Sequence, residues 1–342
     1  MTYNFTIVDF FAGIGGLRLA FEKENCVAVF SNEIDDFACE TYEANFGANP
    51  KGDITTLDAQ QVPDHDILLA GFPCQAFSLA GAKKGFDDTR GTLFFDLARI
   101  IKAKKPKAFL LENVKNLLSH DQGKTFMVIK NTLERDLGYR IFYKVLNARN
   151  FGVPQNRERI IIVGFRKDLG IHNFEFPLKD GEAKTLAEIL ETDVPLNFFI
   201  SKVRFRGMQN HKKKHLAKGH GFGYRVLDPE GISGTIVVGG MGRERNLVCD
   251  KASFLKLKGM RGIGIKSRRA IRYLTPREYA RLQGFPDTFK IPVSNAQAYK
   301  QFANSVAVPM MEEVAKNILK ILEDPKKNGR KGQAEIIEYA QN

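Results

Sequence analysis

Two kinds of apolar pattern alternate along the first half of the chain. Short continuous runs, Thr6 to Phe10, Val27 to Ser31, Ile67 to Ala70, Ala108 to Leu111, Arg140 to Leu146 and Ile160 to Phe165, have strand length and strand composition. Between them, Leu17 to Lys23, Asp35 to Asn45, about Thr92 to Lys102 and about Thr125 to Leu137 read as helices. This alternation predicts an α/β fold with a mostly parallel sheet and helices on both faces. After Phe165 it lapses into a glycine-rich stretch. Helix-like segments return at Thr275 to Gln283 and Val308 to Leu322, as expected if the C-terminus rejoins the first lobe; the tail from Asp324 to Arg330 reads as frayed.

At 342 residues the chain is long for one domain, so a main lobe with a second, smaller one is expected. No apolar run approaches the length of a membrane span, and the start MTYNFTIVDF lacks a basic region followed by an apolar core. A cytoplasmic protein without an export signal is the expectation. Four cysteines, Cys26, Cys39, Cys74 and Cys249, show no metal-ligand spacing, so neither structural zinc nor a disulfide framework is expected. The net charge of +13 is confined to one region: Ser201 to Arg272 holds 18 Lys and Arg against 4 Asp and Glu. Cations interleaved with glycine, as in KGHGFGYR (Lys218 to Arg225) and GGMGRER (Gly239 to Arg245), suit phosphates and base edges.

The candidate chemistry sits at strand ends. GFPCQAFS follows the run Ile67 to Ala70, which places Cys74 where doubly wound sheets put their chemistry. A lone Pro-Cys is more often a small buried hydrophobe. Here the run ending at Leu111 is followed by Glu112 and Asn113, and Gln155 to Arg159 precedes the run from Ile160. A thiol, a carboxylate and two guanidiniums at strand ends point to one pocket with Cys74 as its nucleophile. VDFFAGIGG puts Gly13, Gly15 and Gly16 directly after a strand, but not in the spacing of the dinucleotide fingerprint. Glu33, after the second strand, suits ribose hydroxyls, and Asp53 suits an adenine amine, a pair that fits S-adenosylmethionine better than a nicotinamide. Taken alone, Glu33 also reads as an acid at a helix N-terminus.

DFFAGIGG, SNE (Ser31 to Glu33), GDIT, GFPCQAFS, LENV (Leu111 to Val114), QNRER, RYLTPREYARLQGFPD (Arg272 to Asp287) and QFANSVAVP (Gln301 to Pro309) together resemble the C5-cytosine DNA methyltransferase family. They occur in the family's order and cover both ends of the chain. The full set is similar to the short bacterial members of restriction-modification systems, the GCGC-methylating kind included.

The resemblance implies an S-adenosylmethionine-dependent, Rossmann-like catalytic domain over 1–180, a glycine-rich, mostly β target-recognition domain over 181–290, and a segment 291–342 that returns to the first. It implies that Cys74 adds to cytosine C6 while Pro73 fixes its loop, that Glu112 protonates or hydrogen-bonds N3, and that Arg157 and Arg159 lie near the target base. Cofactor residues carry over as Phe11, Ala12, Gly13, Gly15, Gly16, Glu33, Ile34, Asp53, Ile54, Pro73, Asn304 and Ser305. Ile34 replaces a tryptophan found in some members, and Ala303 replaces the glycine more usual before Asn-Ser. DNA contacts are expected from Gln75, Ser78, Lys218, Arg225, Thr235, Arg243 and Arg245, with Thr235 and Ile236 at the base-flipping site and 76–92 as a lid. The helix opened by Pro276 is expected to support the fold. The partners implied are double-stranded DNA and a cognate restriction endonuclease, the chain acting as a monomer. A transfer-RNA cytosine methyltransferase and a catalytically silent DNA binder are the alternatives on this scaffold.

Overall fold

The structure is a computed structural model and describes residues 5–73, 93–178, 184–221, 223–238, 242–258 and 268–325. The chain divides into two units. The first comprises 1–147, 158–179 and 308–342, and the second 148–157 and 180–307.

The first unit is built on a six-stranded sheet in the order β2-β1-β3-β4-β6-β5. Its strands are β1 (Thr6–Phe10), β2 (Val27–Asn32), β3 (Ile67–Ala70), β4 (Ala108–Val114), β5 (Tyr139–Asn147) and β6 (Glu158–Arg166). Pairing is parallel from β2 through β4, and β6 runs antiparallel to both its neighbours. Ile67, Leu68, Leu69 and Ala70 are all fully buried, as a strand covered on both faces requires. On one face Val8, Phe10, Leu68, Leu111 and Ile162 pack with Leu97 and Ile101 of α3 (Leu93–Lys104) and with Ile129 of α4 (Lys124–Asn131), which a π turn at Thr132–Asp136 continues. Also in this unit, α1 (Gly16–Glu22) packs with α9 (Val308–Glu323), whose Met311, Val314, Ala315, Ile318 and Leu322 form a buried stripe at helical spacing. The return of the C-terminus is thus a helix docked in the first unit. Gly164 of β6 faces Phe109 of β4, and a Cβ there would lie 2.1 Å from the Phe109 ring, so only glycine admits that aromatic.

Strand order reverses between β1 and β3, since β2 lies on one side of β1 and β3 on the other. Ligand sites of doubly wound sheets form at the carboxyl ends of strands at such a reversal. Within β1, Asp9 is fully buried and neither carboxylate oxygen has a hydrogen-bond partner among the described residues. Burial pushes its carboxyl up to about 8, with Arg18 opposing and Glu33 and Glu22 reinforcing the shift. Folding therefore takes up a proton between the unfolded value, near 4, and about 8, and stability falls as pH rises through that window. Asp9→Asn keeps the shape and removes the titration. In thermal melts the variant should gain on the parent as pH rises from 5.5 to 8.5; parallel pH profiles would count against this account.

The second unit holds a four-stranded sheet in the order β7-β10-β9-β8, made of β7 (Phe199–Ser201), β8 (Val226–Leu227), β9 (Leu247–Cys249) and β10 (Arg268–Tyr273). It is not mostly β. Helix α5 (Lys202–Leu216) is its longest element, accompanied by α6 (Lys251–Lys258), α7 (Pro276–Leu282) and α8 (Asn295–Asn304). In the sequence, α5 is masked by its cations: Phe205 and Met208 are its buried residues, while the Ser201 hydroxyl caps it by accepting from Arg204 N at 3.1 Å. The first unit resumes at Val308 and not at 291, because α8 packs on α7 and its flank, with Tyr299 against Tyr279 at 4.7 Å and Phe302 against Phe285 at 5.4 Å.

Candidate active site

The loop after β1 is held open by its backbone. Phe11, Gly13 and Gly15 have φ of +53, +56 and +81. For Phe11 that conformation is strained, and such strain clusters at ligand sites. A Cβ on Gly15 would lie 2.3 Å from the Phe46 ring, whereas one on Gly13 would meet nothing within 4 Å, so the loop faces open space there. Ala12 is buried and donates to Asn32 O at 3.1 Å; Gly16, also buried, begins α1. Glu33 spends its carboxylate on the main chain: Oε2 accepts from Gly13 N and Oε1 from Ile34 N and Asp35 N, each at 2.8 Å. It ties the glycine loop to the start of α2 (Asp36–Phe46) and is more than a helix N-terminal acid.

Asp53 Oδ1 accepts from Thr55 N and Thr55 Oγ1 at 2.9 and 2.8 Å, and these bonds hold the carboxyl below its usual range. Oδ2 carries no hydrogen bond among the described residues, so a charged acceptor stands ready for a donor. Ile54 is buried in the core, and Arg99 fixes the turn by donating to Ile54 O and Leu57 O at 2.9 Å. Ile34 and Phe37, beside Glu33, are exposed apolar side chains. This donor set fits an adenosyl group.

At the end of β3, Phe72 is buried against Phe94, and its carbonyl accepts from Asn113 Nδ2 at 2.9 Å. That bond pins Gly71 to Pro73 to β4. Cys74, Gln75, Ser78 and the lid at 76–92 lie outside the described residues. Glu112 and Asn113 do not follow β4 but belong to it, with Glu112 opposite Ile161 and Val114 opposite Arg159. Glu112 is buried, its Oε1 is 2.9 Å from Arg159 Nε, and a Cβ on Gly71 would stand 3.7 Å from Oε2. A carboxylate and its cation are therefore held beside the backbone three residues before Cys74. The buried thiols Cys26 and Cys39 are pushed up to about 12 and about 11 by burial, as inert thiols are.

In the second unit Arg157 is buried and donates to the carbonyls of Ser305 (2.6 Å), Ala303 (3.1 Å) and Ile236 (3.4 Å). Gln155 donates to Leu282 O at 2.9 Å and accepts from Ile236 N at 3.1 Å, while Gln283 donates to Phe302 O and Ser305 O. Thr235 Oγ1 donates to Asn156 O at 2.7 Å. Here Arg157 organises main chain: it joins the segment of Asn304 and Ser305 to that of Thr235 and Ile236. Asn304 itself is exposed.

Lys218 and Arg225 are exposed. Arg225, Thr235 and Arg245 line one cavity of about 600 Å³ together with Lys212, Tyr224 and Asn246. Arg243 lies over the rings of Tyr273 and Tyr299, at 5.5 and 5.0 Å, which ties it to the unit's own aromatics.

A family model for the C-5 cytosine-specific DNA methylases matches residues 5–320. The chain belongs to that family. It is 52% identical to the type II methyltransferase M.HpaII of Haemophilus parainfluenzae over 93% of this chain and 90% of the relative. With M.HhaI of Haemophilus parahaemolyticus it shares 45% identity over 91% of this chain and 93% of the relative. Among solved structures, an Entamoeba histolytica methyltransferase superposes with a TM-score of 0.70 at 18% identity, over 94% of this chain and 99% of that one. The Schizosaccharomyces pombe Dnmt2 methyltransferase gives 0.67 at 19%, over 93% and 99%. At that identity these structures establish the fold alone.

As a C-5 cytosine methylase the protein uses S-adenosylmethionine as methyl donor, and the open face of the glycine loop and the free oxygen of Asp53 suit that group. The sequence placed Asn113 and Gln155 in the strand-end polar clusters but gave them no role, and it singled out neither Arg99 nor Gln283. Asn113 stands next to Glu112 in LENV, Gln155 opens QNRER and Gln283 lies in RYLTPREYARLQGFPD, so of the four only Arg99 lay outside every motif.

Proposed function

We propose that this chain methylates C5 of a flipped cytosine within a short specific site of double-stranded DNA, through a covalent bond between Cys74 and C6. One observation carries the reading: buried Glu112, paired with the half-buried Arg159, is held against the Gly71 to Pro73 backbone that leads into Cys74. Bound S-adenosylmethionine supplies an electrophilic methyl group. Ring carbon C5 is too weak a nucleophile to take it unaided, so the Cys74 thiolate adds to C6 and makes C5 electron-rich. Glu112 holds a proton or hydrogen bond at N3 as charge develops on the ring, and Arg159 orients Glu112 and reaches the base carbonyl. Transfer leaves S-adenosylhomocysteine; the C5 proton then passes to solvent as the C5–C6 double bond re-forms and the Cys74–C6 bond breaks, releasing the thiolate. Glu33 and the glycine loop shape the adenosyl site, and Asp53 Oδ2 accepts from the adenine amine.

Type II names among the relatives support a role beside a cognate restriction endonuclease in protecting host DNA, with the chain acting as a monomer on the bacterial nucleoid. No helix among the described residues is long and apolar enough to cross a membrane. The test is transfer of labelled methyl from S-adenosylmethionine to unmethylated duplex DNA, followed by bisulfite sequencing. Methylation confined to cytosines of one short motif is the expected outcome. Label on RNA alone, or nowhere, would overturn the reading.

A further inference from the structure

Helix α5 carries six Lys and Arg, two His and no Asp or Glu across its fifteen residues. Phe205 and Met208 anchor one face in a cluster with Ile200 and Leu247. Its cations then fall into two groups. Arg204 pairs with Glu244 at 3.2 Å and lies over Tyr273, while Lys212 lies over Tyr224 at 4.9 Å and donates to its carbonyl. Lys202, Arg206, Lys213 and Lys214 are exposed, and among the described residues none of the four makes an ion pair.

The second group is ordered. Lys202, Arg206, Gln209 and Lys213 stand at i, i+4, i+7 and i+11, so they share one stripe, which borders the Phe205 side of the buried face and is centred about 100° around the helix from the midpoint of Phe205 and Met208. Asn210 and Lys214 flank it. The stripe presents only donors and amides, in steps of about one turn or 5–6 Å, over a length of about 17 Å. Like charges one turn apart weaken a helix by about 0.2–0.5 kcal/mol per pair, so Lys202 and Arg206 do not serve α5 itself. Lys212, next to Lys213 and about 100° around the helix, lines the cavity with Arg225, Thr235 and Arg245. Positive surface thus continues from that cavity around α5.

The geometry points to α5 as a sequence-independent clamp for the phosphates of duplex DNA flanking the methylated site. Phosphate contacts of this kind fix register and add affinity without reading bases. The inference rests on the DNA methyltransferase reading above. Its test uses the full chain and two duplexes, one with the motif found by bisulfite sequencing and one without. Binding is followed by anisotropy from 50 to 250 mM salt. Each neutralised phosphate contributes about 0.9 to the slope of log K against log salt, so Lys202→Gln, Arg206→Gln, Lys213→Gln and Lys214→Gln combined should lower the slope by about 3 to 4 on both duplexes. The affinity ratio between the duplexes should not change. A set that keeps the charges (the three lysines to Arg, Arg206→Lys) should keep the parent slope, which separates lost charge from a damaged helix. A slope change below 1 in the glutamine set, or an equal loss in the charge-keeping set, would overturn the clamp. Failure of the parent to bind or methylate any duplex would instead sink the function on which it rests.

Discussion

Cys74→Ser removes methyl transfer while leaving duplex binding in place. The serine hydroxyl is a far weaker nucleophile than a thiolate at neutral pH, and the buried thiols Cys26 and Cys39 do not replace it, being pushed far above neutrality. Removing a nucleophile from a preassembled site costs on the order of 10⁴-fold or more in turnover. The site stays assembled because its supports belong to other residues. Phe72 is held by Phe94 and by Asn113 Nδ2, and Glu112 keeps its ion pair with Arg159. Labelled transfer measured beside anisotropy on the same duplex separates the two effects. Residual transfer above about a tenth of the parent rate would mean that the thiol is not the attacking group. Cys39→Ser is the companion; it should keep transfer, since that thiol is buried on α2 and donates to Glu33 O at 3.5 Å, a bond a serine hydroxyl can also make.

Legibility from sequence followed the source of each element's order. Strands β1 and β3 lie where their apolar runs place them, because a strand buried on both faces is mostly apolar, Asp9 of β1 being the one charged side chain in the two. Strand β4 runs three residues longer than its apolar run. Glu112 and Asn113 remain in the ladder with β6 because the Arg159 cation offsets the Glu112 charge and Asn113 bonds to Phe72 O and Val114 N, and no hydropathy pattern encodes that. Helix α5 was hidden for the opposite reason, since two buried residues in fifteen leave almost no apolar signal. Glu33 was legible as a residue of the site, but its three main-chain partners appear only once the glycine loop and the start of α2 are folded against it. Arg157 and Arg159 are two residues apart and look alike in QNRER. Burial separates them, as Arg157 donates to three carbonyls and Arg159 faces Glu112.

Arg272→Met should cost the second unit about 3–5 kcal/mol, the range for breaking a buried ion pair from one side. Arg272 is fully buried; Nε meets Asp250 Oδ2 at 2.8 Å, and the two terminal nitrogens grip Glu278 at 2.8 and 2.7 Å. Glu278, also fully buried, accepts from Thr275 N at 2.7 Å and from Glu191 N at 2.8 Å, so it closes the capping box of α7 while neutralising the arginine. Methionine fills much of the space but leaves the Glu278 carboxylate with two N–H donors and no cation. Glu278→Gln should cost less, because the amide still accepts from the main chain and Asp250 still balances part of the arginine's charge. Replacing both, Arg272→Met with Glu278→Gln, should recover part of the first loss, since the stranded charge is then gone. Although burial pulls Asp250 upward, Arg272 and the Ser253 N–H hold its carboxyl below the usual range. Its contribution is therefore present at neutral pH and lost as pH falls through that lowered value. Urea unfolding of the four proteins at pH 7 measures the cycle. A double variant less stable than the sum of the single losses would show that the arginine matters for its packing and its bond to Asp250, and not for the charge of Glu278.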